Sequence, residues 1–221
     1  MLAQPSRRNF LGIVASAAGA LVGSRSLLAA PLSGARVEAL RTGPWDLSWL
    51  DALKGKHRQV FSVGALAGHM PMHVVTNWLN AHQEVFGLVP PDINAVVGIS
   101  VSYPVNAVDA LWARYELGRR WQLRDPATGE WATRNIYLDH MPAGARETGV
   151  RPLQARGAIF WQCNNALNGV AHELADDTKQ PFEQVRAELL AGLNPGVRLV
   201  PAHTMVLGLA QERGFAYEQI G

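Results

Sequence analysis

Hydrophobic positions along the chain come in two textures. Short, nearly unbroken apolar runs occur at Arg58 to Gly64, Ile93 to Val101 and Gly157 to Cys163. They are rich in Val, Ile, Phe and Trp, which suits strands buried on both faces of a sheet. Val197 to Val200 supplies a fourth, shorter run, and Phe215 to Gln219 alternates apolar with polar as an edge strand does. Between these runs the spacing is helical. It predicts helices from about Met70 to Phe86, with Pro71 in the first turn and Gly87 as the stop, and from Asn106 to Gly118, with Leu111, Trp112, Tyr115 and Leu117 available for core contacts. A third is opened by Asn164 and Asn165 and runs to about Ala175; others cover Pro181 to Leu190 and His203 to Arg213, the last closed by Gly214. Pro44 to Leu50 reads as one helical turn that lays its tryptophans on the domain. Strands and helices alternating in short units predict an α/β fold, a three-layer sandwich with a mainly parallel five-stranded sheet.

The alternation breaks between Arg119 and Arg156. Trp121 to Trp131 carries a turn signature, Asp125-Pro126 with Gly129, between two tryptophan-bearing flanks, and predicts a small hairpin. Arg134 to Val150 has mixed polarity and no clear period. A connection this long inside a compact domain is expected to be functional, and residues 119–156 are read as an inserted loop or lid near the carboxyl edge of the sheet.

Composition narrows the class. With 221 residues, 48% of them hydrophobic and 17% charged, the chain can bury one sizeable core. The formal charge is +2, and Arg7, Arg8 and Arg25 lie in an N-terminal segment without acidic residues, so removing residues 1–35 takes +2 to −1. No basic stripe is left of the kind that nucleic-acid binding needs, and no nucleic-acid partner is expected. Ser6-Arg7-Arg8-Asn9-Phe10-Leu11 closely resembles the twin-arginine export motif, and the Ala- and Gly-rich segment from Leu11 to Val22 is too short for a comfortable membrane span. Residues 1–35 are therefore read as a twin-arginine signal peptide, with cleavage after Ser33-Gly34-Ala35 or, alternatively, after Ala30; an uncleaved anchor is the other option. Residues 36–55 form a linker and 56–221 a single α/β domain. The resemblance implies a bacterial source, a periplasmic location and no membrane association once the leader is removed.

Cys163 is the only cysteine. In an oxidising compartment it has no internal disulfide partner, so it is buried, paired between chains, or kept for chemistry. Its position, after an apolar strand and before a helix opened by two asparagines, places it at the carboxyl edge of the sheet, where ligands collect in open α/β folds and where a helix N-terminus favours the thiolate form of a thiol. In a parallel sheet the loops after the strands share that edge. His69 follows the first strand, Ser102 and Tyr103 the second, and His203 the fourth. His69 or His203 would stabilise a thiolate by charge, while the amides of Asn164 and Asn165 would hold an anionic sulfur species. Each also has a plain structural reading: a small buried hydrophobe for Cys163, a helix cap for Asn164, satisfied core or surface residues for the histidines. His69-Met70-Pro71-Met72-His73 sets two histidines four apart with Met between, which offers a copper site through His69 and His73. His57, His82, His140 and His172 are assigned no partners. No Gly-rich phosphate loop, zinc-protease helix, nucleophile elbow or haem-attachment pair is present, and no cofactor is expected.

The element order, Phe160-Trp161-Gln162-Cys163-Asn164-Asn165-Ala166-Leu167, and the ending Leu199-Val200-Pro201-Ala202 through Leu209-Ala210-Gln211-Glu212-Arg213-Gly214-Phe215-Ala216-Tyr217 together resemble the DsrE-like family of sulfur-relay and related proteins. The similarity spans residues 56–221 and is narrower still with the exported, twin-arginine-bearing branch, which has no settled activity. It implies a DsrE-like fold, a homo-oligomer, and a strand-end cysteine that accepts sulfane sulfur as a persulfide and passes it on; Cys163 is the residue to which this carries over. The relay members work in the cytoplasm, and the 119–156 insertion is not a feature of the small relay subunits. The expectation is an exported protein that binds or relays a small sulfur species through Cys163. The rival is a non-catalytic periplasmic protein using the same edge for a small ligand or for copper.

Overall fold

The computed structural model describes residues 45–64, 66, 71–139 and 148–220. The leader, its cleavage points, residues 36–44 of the linker, His69 and His140 lie outside the described residues, so the expectations placed on them stay as stated. No helix among the described residues is long and apolar enough to cross a membrane.

Five strands form one sheet: β1 (His57–Val63), β2 (Ile93–Ile99), β3 (Ile159–Cys163), β4 (Arg198–Val200) and β5 (Ala216–Ile220), in the order β4-β3-β2-β1-β5. Every pairing is parallel. The helices are α1 (Trp49–Ala52), α2 (Pro71–Phe86), α3 (Asp109–Arg114), α4 (Leu117–Arg120), α5 (Val150–Ala155), α6 (Asn164–Thr178), α7 (Phe182–Ala191) and α8 (His203–Glu212). Alternation along each strand sends side chains to opposite faces. One face presents Phe61, Val97, Ile99 and Phe160 to α2, α3 and α5 to α7; the other presents Val60, Val96, Trp161 and Val200 to α1 and α8. The result is the three-layer α/β sandwich that the pattern predicts. Gly87 and Gly214 end α2 and α8 with positive φ, 68° and 80°, which a glycine adopts without steric cost.

Two stretches differ from expectation. The segment from Asn106 to Gly118 is not one helix. A 3-10 turn covers Tyr103–Asn106, Ala107 bridges Leu193, and α3 and α4 follow, separated by Glu116 at φ 49°. The reason lies in where the backbone groups go: Val108 N–H donates to Gly192 O, and the Asn135 side chain donates to Val105 O and Ala107 O, taking carbonyls that a continuous helix would need. The same asparagine shows what the 119–156 insertion does. Leu123, Ala132, Asn135, Ile136, Tyr137 and Leu138 are buried, and the apolar ones join the larger core cluster. The described part of the insertion is thus a built-in wall of the domain instead of the lid the sequence suggested, because its scattered apolar residues are spaced for burial by an irregular backbone. The Trp121 to Trp131 hairpin shrinks to a single antiparallel bridge, Arg124 to Trp131, with Asp125 receiving Ala127 N–H and both Nε and Nη2 of Arg134.

Candidate functional site

Strands β3 and β4 are neighbours, yet the chain leaves them in opposite directions: β3 runs into α6 on the face of the larger core, β4 into α8 on the other. In open α/β sheets ligands collect at the carboxyl edge beside such a divergence. Cys163 ends β3 at that point. Its sulfur accepts from two backbone amides, Ala166 N–H in the first turn of α6 at 3.5 Å and His203 N–H, the first residue of α8, at 3.3 Å. Neither amide has an acceptor inside its own helix, since the first turn of a helix leaves its N–H groups unpaired. One thiol therefore serves two helix termini, whose dipoles both favour negative charge at the sulfur. Cys163 is itself the N-cap of α6, the position that the asparagines were expected to fill. It is 4% exposed.

His203 reaches the sulfur through its backbone. Its ring is occupied elsewhere: Trp161 Nε1–H donates to Nδ1 at 3.0 Å, and Nε2 lies 2.9 Å from Ser62 Oγ. An indole nitrogen only donates, so Nδ1 carries no proton, and Nε2–H donates to the serine. Burial also pushes the imidazole below its ordinary range. The expected imidazolium beside a thiolate is thus replaced by a neutral ring, because Trp161 occupies the site that the second proton would need.

The clamp is built from one row across three strands. Ser62 of β1 is in register with Gly98 of β2, and Gly98 with Trp161 of β3. A Cβ on residue 98 would lie 2.8 Å from His203 Cε1 and closer still to the Trp161 ring, so only glycine leaves room for the two rings. Ser62, Gly98 and Trp161 were not singled out from sequence. An isolated glycine inside the run Val96-Val97-Gly98-Ile99 was the available signal.

The remaining candidates separate. Tyr103 is fully buried; its hydroxyl donates to Leu189 O at 2.8 Å, and burial raises its pKa above the ordinary tyrosine value. It tethers the core, since the turn that follows β2 folds it inward. Ser102 is buried against Gly64 O. Asn164 Oδ1 accepts from Arg186 Nη2 at 3.2 Å, and Asn168 Oδ1 from Arg186 Nε at 2.8 Å, so this asparagine ties α6 to α7. Asn165 is exposed in the first turn of α6, and His73 is exposed in the first turn of α2. A cleft of about 600 Å³ runs along α6, lined by Ala166, Gly169, Val170 and Leu174 with Val101 and Trp121, and with Arg120 and Glu173 as its charged groups. Ala166 belongs to both this cleft and the sulfur's hydrogen-bond shell. Among the described residues, no group of three or more His, Cys, Asp or Glu is arranged to hold a metal ion.

No family model matches the chain, and no curated protein does. Among solved structures it is similar to a protein of unknown function, MTH1491, from Methanobacterium thermoautotrophicum, with 14% identity over 74% of this chain and 99% of that one, at a TM-score of 0.37.

Proposed function

We propose that this chain is an exported DsrE-like protein, acting in the periplasm as a homo-oligomer, whose Cys163 takes up and hands on sulfane sulfur. The observation that supports the reading is the pair of helix-terminal amides on a single sulfur at the divergence of β3 and β4. A thiolate held there attacks the outer sulfur of a persulfide or polysulfide donor. A new S–S bond forms on Cys163, the donor's S–S bond breaks, and the donor leaves as its thiolate. The amides that hold the first anion are equally suited to the terminal sulfur of the persulfide, and the cleft that Ala166 lines offers space for the donor.

A second reading draws on the 4% exposure of Cys163: the thiol is a helix cap and nothing more. The two part company in one experiment. The chain has one cysteine, so intact-mass spectrometry after exposure to polysulfide reads it alone. Uptake of sulfur by the folded protein, abolished in Cys163→Ser, is the expected result. A folded protein that stays unmodified while its denatured form reacts would leave only the capping role.

A further inference from the structure

At the amino edge of the sheet, opposite the thiol, two histidines far apart in sequence meet. His57 opens β1 and His82 lies in the last turns of α2; both are half-buried. Their ring centroids are 5.1 Å apart with the planes tilted by 54°. Imidazoles bound to a common ion at about 2.0–2.1 Å have centroids about 3.2 Å from it, so angles from the roughly 90° of cis ligands on a tetragonal ion to the tetrahedral value separate the centroids by about 4.5–5.2 Å, a range that holds the observed distance. Face-to-face stacked rings could not share an ion, because their in-plane lone pairs would run parallel; the 54° tilt is free of that obstacle.

The surroundings fix the rings. His82 Nδ1–H donates to Trp78 O at 2.9 Å, which leaves Nε2 as the nitrogen with a free lone pair. Metal-binding histidines are usually oriented by such a carbonyl bond on the other ring nitrogen. Trp78 packs against His82 with centroids 4.1 Å apart, and Phe86 stacks on His57 at 5.8 Å with an interplanar angle of 20°. Among the described residues, no hydrogen bond or ion pair occupies the His57 ring or His82 Nε2. Phe86 thus covers part of the His57 ring and Trp78 part of the His82 ring, while both histidines keep some contact with solvent, which can supply water ligands.

We propose that His57 and His82 form a two-imidazole site for a borderline transition-metal dication, copper(II) in preference to zinc by the usual affinity order, with water as the remaining ligands. The site is independent of the sulfur reading and shares no residue with Cys163.

The test is a titration of the untagged full chain with copper(II) alone, in a Cys163→Ser background so that the thiol cannot reduce the ion. Binding is followed by electron paramagnetic resonance. The expected result is one bound ion with couplings to two nitrogens. His57→Phe and His82→Phe keep an aromatic ring in place and remove the ligand, and each should weaken binding about tenfold or more. His82→Gln checks the same loss without a ring, circular dichroism verifies that each variant is folded, and His73→Ala should leave affinity unchanged. Absence of a bound ion in the parent, unaltered affinity in the folded Phe and Gln variants, or loss of binding in His73→Ala would each overturn the site.

Discussion

The two faces of the sheet are built on different principles. On the face covered by α2, α3 and α5 to α7, the strands contribute apolar side chains such as Phe61, Val97, Ile99 and Phe160 to a large cluster. On the other, one long helix and a short one cover a smaller cluster, and the row Ser62, Gly98, Trp161 grips the His203 ring by two hydrogen bonds. The first face supplies bulk hydrophobic stabilisation, which is insensitive to orientation. The second fixes direction. By holding residue 203 from two sides it aims the first amide of α8 at the sulfur of Cys163.

That contrast is open to direct attack. Phe160→Ala on the bulk face should cost about 3–5 kcal/mol in urea unfolding, the usual loss for a fully buried aromatic. It should leave the His203 ring in its neutral, Nε2-protonated form by nitrogen NMR. Comparable disturbance of that ring would show that the faces are not separable.

Gly98→Ala adds a single methyl to the orienting face, where His203 and Trp161 leave no space for it. A cost of about 1–3 kcal/mol is expected, as for overfilled cores generally. Unlike Phe160→Ala it should also shift the ring nitrogen signals of His203. A neutral result in both measurements would mean that the rings are not seated on residue 98.

The smallest effect is a pH dependence. The folded-state pKa of His203 lies below its ordinary 6.5, so the unfolded chain binds the proton more readily. Stability therefore rises with pH through the window between the two values: the contribution of the neutral ring is complete above about 6.5 and is lost as pH falls through the folded value. Ser62 and Trp161, which face the ring, do not titrate in that range. The stability difference between wild type and His203→Gln should shrink on acidification. A constant difference would remove the burial argument.

Much of the fold was legible because it depends on local pattern. The apolar runs at β1 to β3, Gly87 and Gly214 as helix stops, and the strand-to-helix handover at Cys163 follow from periodicity and from backbone freedom at glycine. The site was half legible. Topology placed Cys163 and His203 together, but the part of His203 that meets the sulfur depends on Trp161 and Ser62, contacts made across 42 and 141 residues of sequence. His57 and His82 escaped notice for the same reason, since their meeting depends on how the last turns of α2 lie against the start of β1. The packing of the described part of the insertion was not legible, because burial of Ile136, Tyr137 and Leu138 by an irregular backbone has no period to detect. Asn106 and Asn135 escaped notice too: side chains that take over backbone hydrogen bonds leave no mark in hydropathy.

The account turns on the sulfur of Cys163 being the acceptor for amides that have none within their helices. Amide hydrogen exchange of Ala166 and His203, compared between wild type and Cys163→Ala, measures that directly. Both amides should be protected in the wild type, and both should exchange about tenfold faster or more once the acceptor is gone, which corresponds to losing roughly one hydrogen bond's worth of stabilisation. Equal rates in the two proteins would contradict it.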